Sequence, residues 1–271
     1  MAALAIVEVL RNDGLDVVDA RALLRHVIGC DEAWLISHPD RQLSAKEQEA
    51  YATLRARRAA GEPVAYLTGE REFYSLAFNV TPAVLIPRPE TELLVEAALE
   101  HLPVDSPLRV LDLATGSGCV AVAIARQGPR AMVTATDISR DALAVARGNA
   151  ARHGASIEFL ESDWFAALAG RRFDLIVANP PYIAAGDAHL AAGDLRFEPR
   201  AALVAGPLGL ECIEVIVEEA PPHLAPGGWL LFEHGYDQGP CSRALLAAAG
   251  YDDIVTRRDL AGIERVSGGR V

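Results

Sequence analysis

Residues 109–118, RVLDLATGSG, decide the fold of this chain. The first five predict a buried strand, the glycine-containing remainder predicts a turn, and the helix-like run Val120–Arg126 follows directly. A strand, turn and helix in this order bring backbone N–H groups to a helix N-terminus, where the open end of an α/β sheet binds nucleotides. Gly116, Gly118 and Ala121 also satisfy the dinucleotide fingerprint, so this turn alone leaves the choice of nucleotide open.

Strand-like and helix-like runs alternate from Pro89 onward, which predicts a parallel, doubly wound sheet with helices on both faces. These runs are Arg109–Leu113, Val120–Arg126, Met132–Thr136, Ala142–Ala151, Ile157–Leu160, Phe173–Ala178, Cys212–Glu219 and Trp229–Glu233. The last two strands, Asp253–Arg257 and Ile263–Val266, are joined too closely for a parallel crossover and must be antiparallel. The predicted fold is a seven-stranded, Rossmann-like α/β domain with one antiparallel strand.

The residues before this domain predict a small all-α domain and a β-hairpin connector. Apolar residues recur at helical spacing near the N-terminus, and Ser44-Ala45-Lys46-Glu47 has the capping-box pattern of a helix that runs to about Ala60. Apolar and polar residues then alternate from Phe73 to Val80, which predicts a strand pair. We therefore expect three parts, the helical domain at 1–72, the hairpin at 73–88 and the α/β domain at 89–271.

Composition excludes several classes of protein. A formal net charge of −12 disfavours nucleic acid as a direct partner. The chain has no apolar run of about 18 residues, and its N-terminus reaches acidic residues too early for a signal peptide. The four cysteines lack C-x-x-C pairing, which favours reduced thiols over a metal site. We expect a cytoplasmic monomer that holds no metal and contacts neither nucleic acid nor a membrane.

Two further residues are candidates for nucleoside binding. Asp137 ends the strand-like run Val133–Thr136, 21 residues after Gly116, where a carboxylate can accept hydrogen bonds from both ribose hydroxyls. The alternative is that Asp137 caps the next helix. Trp164, in the loop at 161–165, offers an apolar face to an adenine ring, but it also suits a place in the core.

The motif Asn179-Pro180-Pro181-Tyr182 follows an apolar strand and indicates the chemistry. Consecutive prolines fix the backbone and leave carbonyls without local N–H donors. The Asn179 side-chain oxygen and the Pro180 carbonyl can each accept one hydrogen of a substrate –NH2 group, while Tyr182 packs on its planar part. Two such acceptors favour a pyramidal nitrogen and stabilise the positive charge that develops on it. The motif therefore predicts methyl transfer from a sulfonium donor to an amide or amine nitrogen, without a strong general base.

With this motif in place, the chain resembles the HemK-like release factor glutamine methyltransferases over almost its whole length. Other segments that carry the resemblance are PVAYLTG at 63–69 with Phe73, LIPRPETE at 85–92, SDWF at 162–165, RFEP at 196–199 and EHG at 233–235. The resemblance implies a class I methyltransferase domain that uses S-adenosylmethionine and releases S-adenosylhomocysteine. The implied acceptor is the side-chain amide nitrogen (N5) of the glutamine in the Gly-Gly-Gln loop of class 1 peptide chain release factors. The helical domain would help to hold this protein substrate.

The resemblance also assigns roles to residues. Cofactor binding is expected from Ala114, Thr115, Gly116, Ser117, Gly118, Asp137, Trp164 and Asn179. Substrate binding is expected from Asn179, Pro180, Pro181 and Tyr182, and catalysis from Asn179, Pro180 and Tyr182. Ala114 stands where the family usually has Gly, and we expect it to be helix-compatible or extended. Arg88 and Thr91 either contact a ligand or begin a helix with Pro89 in its first turn. His234 is expected to be packed, since the chemistry needs no base.

Other functions share part of this pattern. A glutamine methyltransferase that acts on a ribosomal protein shares all of these motifs. A DNA adenine-N6 methyltransferase shares Asn-Pro-Pro-Tyr, but the acidic charge and the lack of a basic domain able to flip a base oppose it. An NAD-dependent oxidoreductase is compatible with the glycine turn but leaves the fourth-strand motif unexplained. A non-catalytic cofactor-binding protein would not need Asn179 and both prolines.

Overall fold

A computed structural model describes residues 4–12, 14–102 and 107–271. The helices are α1 Ile6–Asn12, α2 Val17–Ile28, α3 Glu32–Ser37, α4 Ala45–Ala59, α5 Val64–Thr68, α6 Glu92–Glu100, α7 Cys119–Gln127, α8 Arg140–His153, α9 Glu211–Glu219 and α10 Gly239–Ala248. The strands are β1 Glu70–Phe73, β2 Leu76–Asn79, β3 Leu108–Leu113, β4 Ala131–Asp137, β5 Ile157–Glu161, β6 Phe173–Ala178, β7 Ile183–Ala184, β8 Val204–Gly206, β9 Leu224–Glu233, β10 Asp252–Arg258 and β11 Glu264–Arg270. Within the described ranges, none of the helices is long and apolar enough to cross a lipid bilayer.

The chain divides into two compact units, and the smaller one is helical. It comprises Met1–Glu70 together with Ala191–Phe197. Its core is formed by buried apolar side chains from all five of its described helices and by Leu43, which precedes α4. Helix α4 begins with the capping box that the sequence predicts, because the backbone N–H of Ser44 donates to Glu47 while Ser44 Oγ accepts from the Glu47 N–H.

The short segment Ala191–Phe197 is attached to this helical unit by an arginine on α4. Arg58 forms ion pairs with Asp19 over 2.6 Å and with Asp194 over 3.1 Å. A second contact runs the other way, from Arg196 Nη2 to the carbonyl oxygen of Ala60 over 2.7 Å. The helical unit is therefore built from two stretches that lie far apart in sequence.

The larger unit comprises Arg71–Leu190 and Glu198–Val271, and a hairpin lies at its start. Strands β1 and β2 pair with each other, and the two residues between them, Tyr74 and Ser75, have φ angles of 52° and 58°. Positive φ at both central residues is what a tight two-residue hairpin turn requires. Glu92 stabilises the turn by accepting the Tyr74 N–H over 2.8 Å. The alternating run 73–80 thus contains the turn itself.

A seven-stranded sheet in the described part of the chain has the order β10-β11-β9-β6-β3-β4-β5. Strand β11 runs antiparallel to both of its neighbours, and the pairings among β9, β6, β3, β4 and β5 are parallel. The predicted α/β sheet with one reversed strand is therefore confirmed. Alternate residues of a strand point to opposite faces, so Val110 and Val177 join a core with α6 and α7, while Leu111 and Ile176 join a second core with α9.

The strand order reverses at β3, because β4 and β5 lie on one side of it and β6 on the other. Leu113 of β3 is in register with Thr136 of β4 and with Ala178 of β6, and Ala178 is in register with Phe232 of β9. The residues next in sequence therefore reach one edge of the sheet together, namely Ala114, Asp137, Asn179 and Glu233. Ligands of open α/β sheets bind at such a reversal point.

Candidate active site

A cavity of about 430 Å³ opens at this edge of the sheet, within the larger unit. Its volume lies in the range of pockets that bind small organic molecules. Eight of the predicted site residues line it, namely Ala114, Thr115, Gly116, Ser117, Asp137, Trp164, Asn179 and Pro181. Three others, Gly118, Pro180 and Tyr182, are not among its lining residues, although each is next in sequence to one that is. Sequence positions up to 67 residues apart are therefore brought to one place.

The turn after β3 depends on backbone conformations that L-amino acids rarely adopt. Ala114 has a φ of 55°, so our expectation of a helix-compatible or extended residue is wrong. The chain reverses here so that the Thr115 N–H can donate to the carbonyl of Thr136 over 2.9 Å. A left-handed alanine costs about 1 to 2 kcal/mol relative to glycine. The turn forms nonetheless, because Thr115 also donates its hydroxyl to Asp112 Oδ2 over 2.6 Å.

Gly118 serves packing between helices. It precedes α7 with a φ of 81°, and a Cβ added to it would lie 3.0 Å from Cβ of Ala146 on α8. Another residue of α8, Asn149, holds the turn from the same side, since its Nδ2 donates to the Ser117 carbonyl over 2.8 Å. Nothing in the local sequence pointed to Asn149, a buried amide in the middle of an alanine-rich helix.

Asp137 lies beside this turn and is anchored by backbone groups. Its Oδ2 accepts the N–H of Gly116 and its Oδ1 accepts the N–H of Ser139, both over 2.9 Å. Burial raises the pKa of Asp137, and these N–H donors oppose the increase. Ser139, not Asp137, caps α8, because its side chain accepts the Ala142 N–H. The carboxylate is thus left to face the cavity.

Trp164 borders the cavity at the end of β5. Its φ of 44° is positive, and Ser162 Oγ donates to its carbonyl over 2.7 Å, which holds the loop in this conformation. The indole is partly buried and packs against the core formed with α9. The two interpretations of Trp164, cavity wall and core residue, therefore apply to the same side chain.

The Asn179–Tyr182 segment leaves β6 with its two polar side chains already hydrogen-bonded. Asn179 Nδ2 donates to Thr91 Oγ1 over 3.1 Å, and the Tyr182 hydroxyl donates to Glu233 Oε1 over 3.1 Å. The Tyr182 carbonyl accepts from Gln238 Nε2 over 3.0 Å, which fixes the backbone after the prolines. Pro180 is buried, and Pro181 lines the cavity.

Glu198 holds the segment at 86–88, which includes the cavity-lining residue Arg88, and this role was not expected from the sequence. Its side chain is fully buried, accepts the Ile86 N–H over 3.0 Å and forms an ion pair with Arg88. Arg88 thus orders the segment that leads to Thr91, where a turn of 3₁₀ helix with Pro89 precedes α6. The only signal of this role in the sequence is that Glu198 lies in RFEP at 196–199, one of the segments that carry the family resemblance.

Burial perturbs several ionisable groups at this end of the sheet. It raises the pKa of Asp112 and that of Glu233, each to about 7. His234 is fully buried and lies outside the cavity lining, with Nδ1 bonded to the Gly235 carbonyl and Nε2 to Ser267 Oγ. Burial lowers the pKa of His234, so the ring is neutral at neutral pH, and both of its nitrogens are already hydrogen-bonded.

Comparison with known proteins identifies both parts of the chain. Residues 5–69 match the family model for a PrmC N-terminal domain, and residues 90–202 match that for a methyltransferase small domain. The chain is 55% identical over 271 residues to a release factor glutamine methyltransferase of Burkholderia pseudomallei, covering 97% of this chain and 95% of the relative. It is 53% identical to the Bordetella pertussis protein of the same name, covering 97% of each.

Solved structures give the same fold. A ribosomal protein L11 methylase from Lactobacillus delbrueckii subsp. bulgaricus is 26% identical with a TM-score of 0.50, covering 68% of this chain and 80% of that one. A 16S rRNA methyltransferase of T. thermophilus, solved with AdoMet and guanosine, is 23% identical with a TM-score of 0.56. That alignment covers 74% of this chain and 49% of the other.

Proposed function

Because this chain belongs to the release factor glutamine methyltransferase family, we propose that it transfers a methyl group from S-adenosylmethionine to the side-chain amide nitrogen (N5) of a glutamine. The acceptor is the glutamine of the Gly-Gly-Gln loop in class 1 peptide chain release factors, and S-adenosylhomocysteine is the second product. One observation carries this proposal. Leu113 and Ala178 are in register, so the glycine turn and the Asn179–Tyr182 motif begin side by side in one cavity.

The cavity suits the cofactor. Asp137 presents a carboxylate that can accept hydrogen bonds from ribose hydroxyls, and Trp164 offers an apolar surface to adenine. A Cβ placed on Gly116 would meet no described atom within 4 Å, so open space lies in front of the turn. When bound, the cofactor supplies an electrophilic methyl group on a sulfonium. Ala114, Thr115, Ser117 and Asn179 complete the proposed cofactor site, and Gly118 shapes it from behind.

The protein's part in catalysis is to orient and polarise the substrate nitrogen. Asn179 Oδ1 and the Pro180 carbonyl accept the two hydrogens of the –NH2 group, and Pro181 and Tyr182 complete its pocket. An amide nitrogen is a poor nucleophile because its lone pair is delocalised; two fixed acceptors favour the pyramidal geometry and stabilise the developing charge. Orientation against the methyl group supplies much of the remaining acceleration. The methylated nitrogen is acidic, so its proton leaves without a strong base.

We assign the parts of the chain accordingly. The smaller, helical unit holds the release factor, the β1–β2 hairpin connects, and the larger unit carries out the transfer. The match of residues 5–69 to a PrmC N-terminal domain supports the first assignment. We further propose that the enzyme works in the cytoplasm on a protein, as a monomer, without direct contact to nucleic acid or membrane. The formal net charge of −12 supports the part of this proposal that concerns nucleic acid.

The test is transfer of labelled methyl from S-adenosylmethionine to purified release factor. Its control is the same factor with the glutamine of Gly-Gly-Gln changed to alanine. Label on the factor that keeps the glutamine, and none on the alanine variant, establishes the substrate and the acceptor side chain. Label on both factors, or only on a ribosomal protein or DNA offered in parallel, overturns the acceptor proposed here.

A further inference from the structure

The buried carboxylate of Glu233 connects the two polar residues of the Asn179–Tyr182 motif. Glu233 ends β9, which pairs with β6, the strand that the motif follows. Glu233 is 1% exposed. Its Oε1 accepts the Tyr182 hydroxyl over 3.1 Å. The Thr91 hydroxyl lies close enough to the same carboxylate to lower its pKa by hydrogen bonding. Thr91, itself 2% exposed, is the residue that accepts from Asn179 Nδ2 over 3.1 Å.

The direction of each hydrogen bond follows from what the groups can do. An amide nitrogen only donates, so Thr91 Oγ1 accepts from Asn179 and its own proton must point elsewhere. An ionised carboxylate only accepts. Glu233 Oε2 is buried, and among the described residues it has no partner of regular hydrogen-bond geometry, so it is available for the Thr91 proton. Tyr182 donates to Glu233 Oε1, and Asn179 donates to Thr91 Oγ1. With the Thr91 proton directed to the buried Oε2, the donation would continue from Thr91 to Glu233.

We propose that Glu233 is a positioning residue that acts through Thr91 to turn the Asn179 amide so that Oδ1, not Nδ2, faces the methyl-accepting nitrogen. This inference rests on the proposed function, in which Asn179 Oδ1 accepts a hydrogen from that nitrogen. If the amide flipped, Thr91 would have to donate its proton to Asn179 Oδ1, and that proton could no longer serve the buried Oε2 of Glu233. A buried acceptor left without a donor is costly, so the carboxylate selects one amide orientation. The same carboxylate holds the Tyr182 ring in place.

The proposed arrangement is sensitive to pH, because a protonated carboxyl donates where the carboxylate accepts. Burial raises the pKa of Glu233 to about 7. The charged and titratable groups that act on it or on Tyr182 are Arg265, Glu90, Arg88, Cys119 and Tyr182 itself. Asp112, which lines the cavity, titrates in the same range. A variant that removes only the Glu233 titration is needed to separate the two carboxyls.

The first experiment measures the kcat of methyl transfer and the cofactor affinity in matched variants. Glu233→Gln keeps the size of the side chain but has one acceptor oxygen for two donors, so kcat should fall about 10- to 100-fold. The kcat of Thr91→Val should fall by a similar factor. The kcat of Thr91→Ser, which keeps the hydroxyl, should stay within about 3-fold of that of the unmodified enzyme. Cofactor affinity should change less than about 3-fold. Glu158→Gln, which removes a carboxylate bonded to Arg171, is the control and should leave kcat unchanged.

Two readouts distinguish positioning from a merely structural role. The kcat of the unmodified enzyme should fall as pH decreases through about 7, and Glu233→Gln should lack the part of this decrease that Glu233 causes. The double variant Thr91→Val/Glu233→Gln should be about as slow as Glu233→Gln alone, because both changes break one chain of hydrogen bonds. Unchanged kcat and an unchanged pH profile in Glu233→Gln, or fully multiplicative losses in the double variant, would overturn the inference.

A second measurement does not depend on the protein substrate. The side-chain amide ¹⁵N–¹H signals of Asn179, assigned by their absence in Asn179→Ala, are followed from pH 5.5 to 8.5. They should shift with a midpoint near pH 7 in the unmodified protein and lose this shift in Glu233→Gln and in Thr91→Val. Signals that titrate identically in all three proteins overturn the positioning role. If release factor is never methylated, the proposed function fails, and these signals still decide whether Glu233 orients Asn179.

Discussion

The backbone N–H of Gly116 donates a hydrogen bond to Oδ2 of Asp137 over 2.9 Å, which joins the glycine turn after β3 to the end of β4. The other carboxylate oxygen accepts the Ser139 N–H over 2.9 Å, so Asp137 also fixes the start of α8. Hydrogen bonds of the protein itself therefore hold the turn. A site that is fixed in this way loses less conformational freedom on binding, which favours affinity.

Replacing Asp137 by Ala should weaken cofactor binding by about 10- to 100-fold, because hydrogen bonds to a charged group are lost both to the turn and to the ribose. Asp137→Asn keeps one acceptor oxygen and should lose less. Calorimetric titration with S-adenosylmethionine measures both, and Asp141→Ala, an exposed acid in the first turn of α8, serves as control. Equal affinity for Asp137→Ala and the control would contradict a direct role.

Asn179→Ala should lower kcat by about 10²- to 10³-fold, as expected when an acceptor for developing charge is removed. Binding of the cofactor should change far less, since the glycine turn and Asp137 keep their contacts. Turnover and calorimetry on the same preparation make the comparison. Parallel losses of both quantities would show that Asn179 acts mainly in binding.

Ala114→Gly should raise the free energy of unfolding by about 0.5 to 1 kcal/mol. The left-handed alanine costs about 1 to 2 kcal/mol in the folded protein, and glycine removes this cost. Glycine also gives the unfolded chain more conformational freedom, which offsets part of the gain in stability. Urea denaturation measures the difference. A lower stability of Ala114→Gly would mean that contacts of the alanine methyl group outweigh its backbone strain.

Gly118→Ala should destabilise the protein by about 2 to 3 kcal/mol, since the new Cβ meets Ala146 at 3.0 Å and the φ of 81° is unfavourable for alanine. Gly116→Ala has open space at its Cβ and should cost only about 1 kcal/mol. Its main effect should be on cofactor affinity. Thermal unfolding measures the loss of stability, and calorimetry measures the loss of cofactor affinity. A larger loss of stability in Gly116→Ala, with a larger loss of affinity in Gly118→Ala, would contradict this prediction.

Asp112→Asn should change how stability depends on pH. Burial raises the pKa of Asp112 to about 7, whereas an unfolded aspartate ionises near pH 3.9. The folded state thus favours the protonated carboxyl of Asp112. The stability that this preference contributes is complete below about pH 4 and is lost as the pH rises to about 7. The stability of Asp112→Asn relative to the unmodified protein should increase by up to about 1.4 kcal/mol per pH unit between these values. A pH-independent difference in urea denaturation would contradict this.

Local patterns were sufficient for the fold and for the main features of the site. Apolar runs of strand length, separated by helix-like runs, located β3, β4, β6 and β9, since buried parallel strands are apolar on both faces. The short connection before β11 fixed its reversed direction. The glycine turn and the Asn179–Tyr182 motif were readable because each needs particular residue types next to one another in sequence.

Contacts between distant side chains could not be predicted in this way. Glu198 accepts from a backbone group 112 residues away, and Thr91 meets Asn179 across 88 residues. No spacing rule connects such pairs, because the whole sheet must form before they meet. Ala114 is a different case, since its conformation follows from the path of the turn and not from its own preference.

The attachment of Ala191–Phe197 to the helical unit has a consequence for protein engineering. The main chain passes between the two units three times, at 70/71, 190/191 and 197/198. A single cut therefore cannot separate them, and an N-terminal cassette ending at Glu70 would leave Arg58 without Asp194. A chimera that exchanges substrate-binding parts between related enzymes should carry this seven-residue insert along with the first 70 residues.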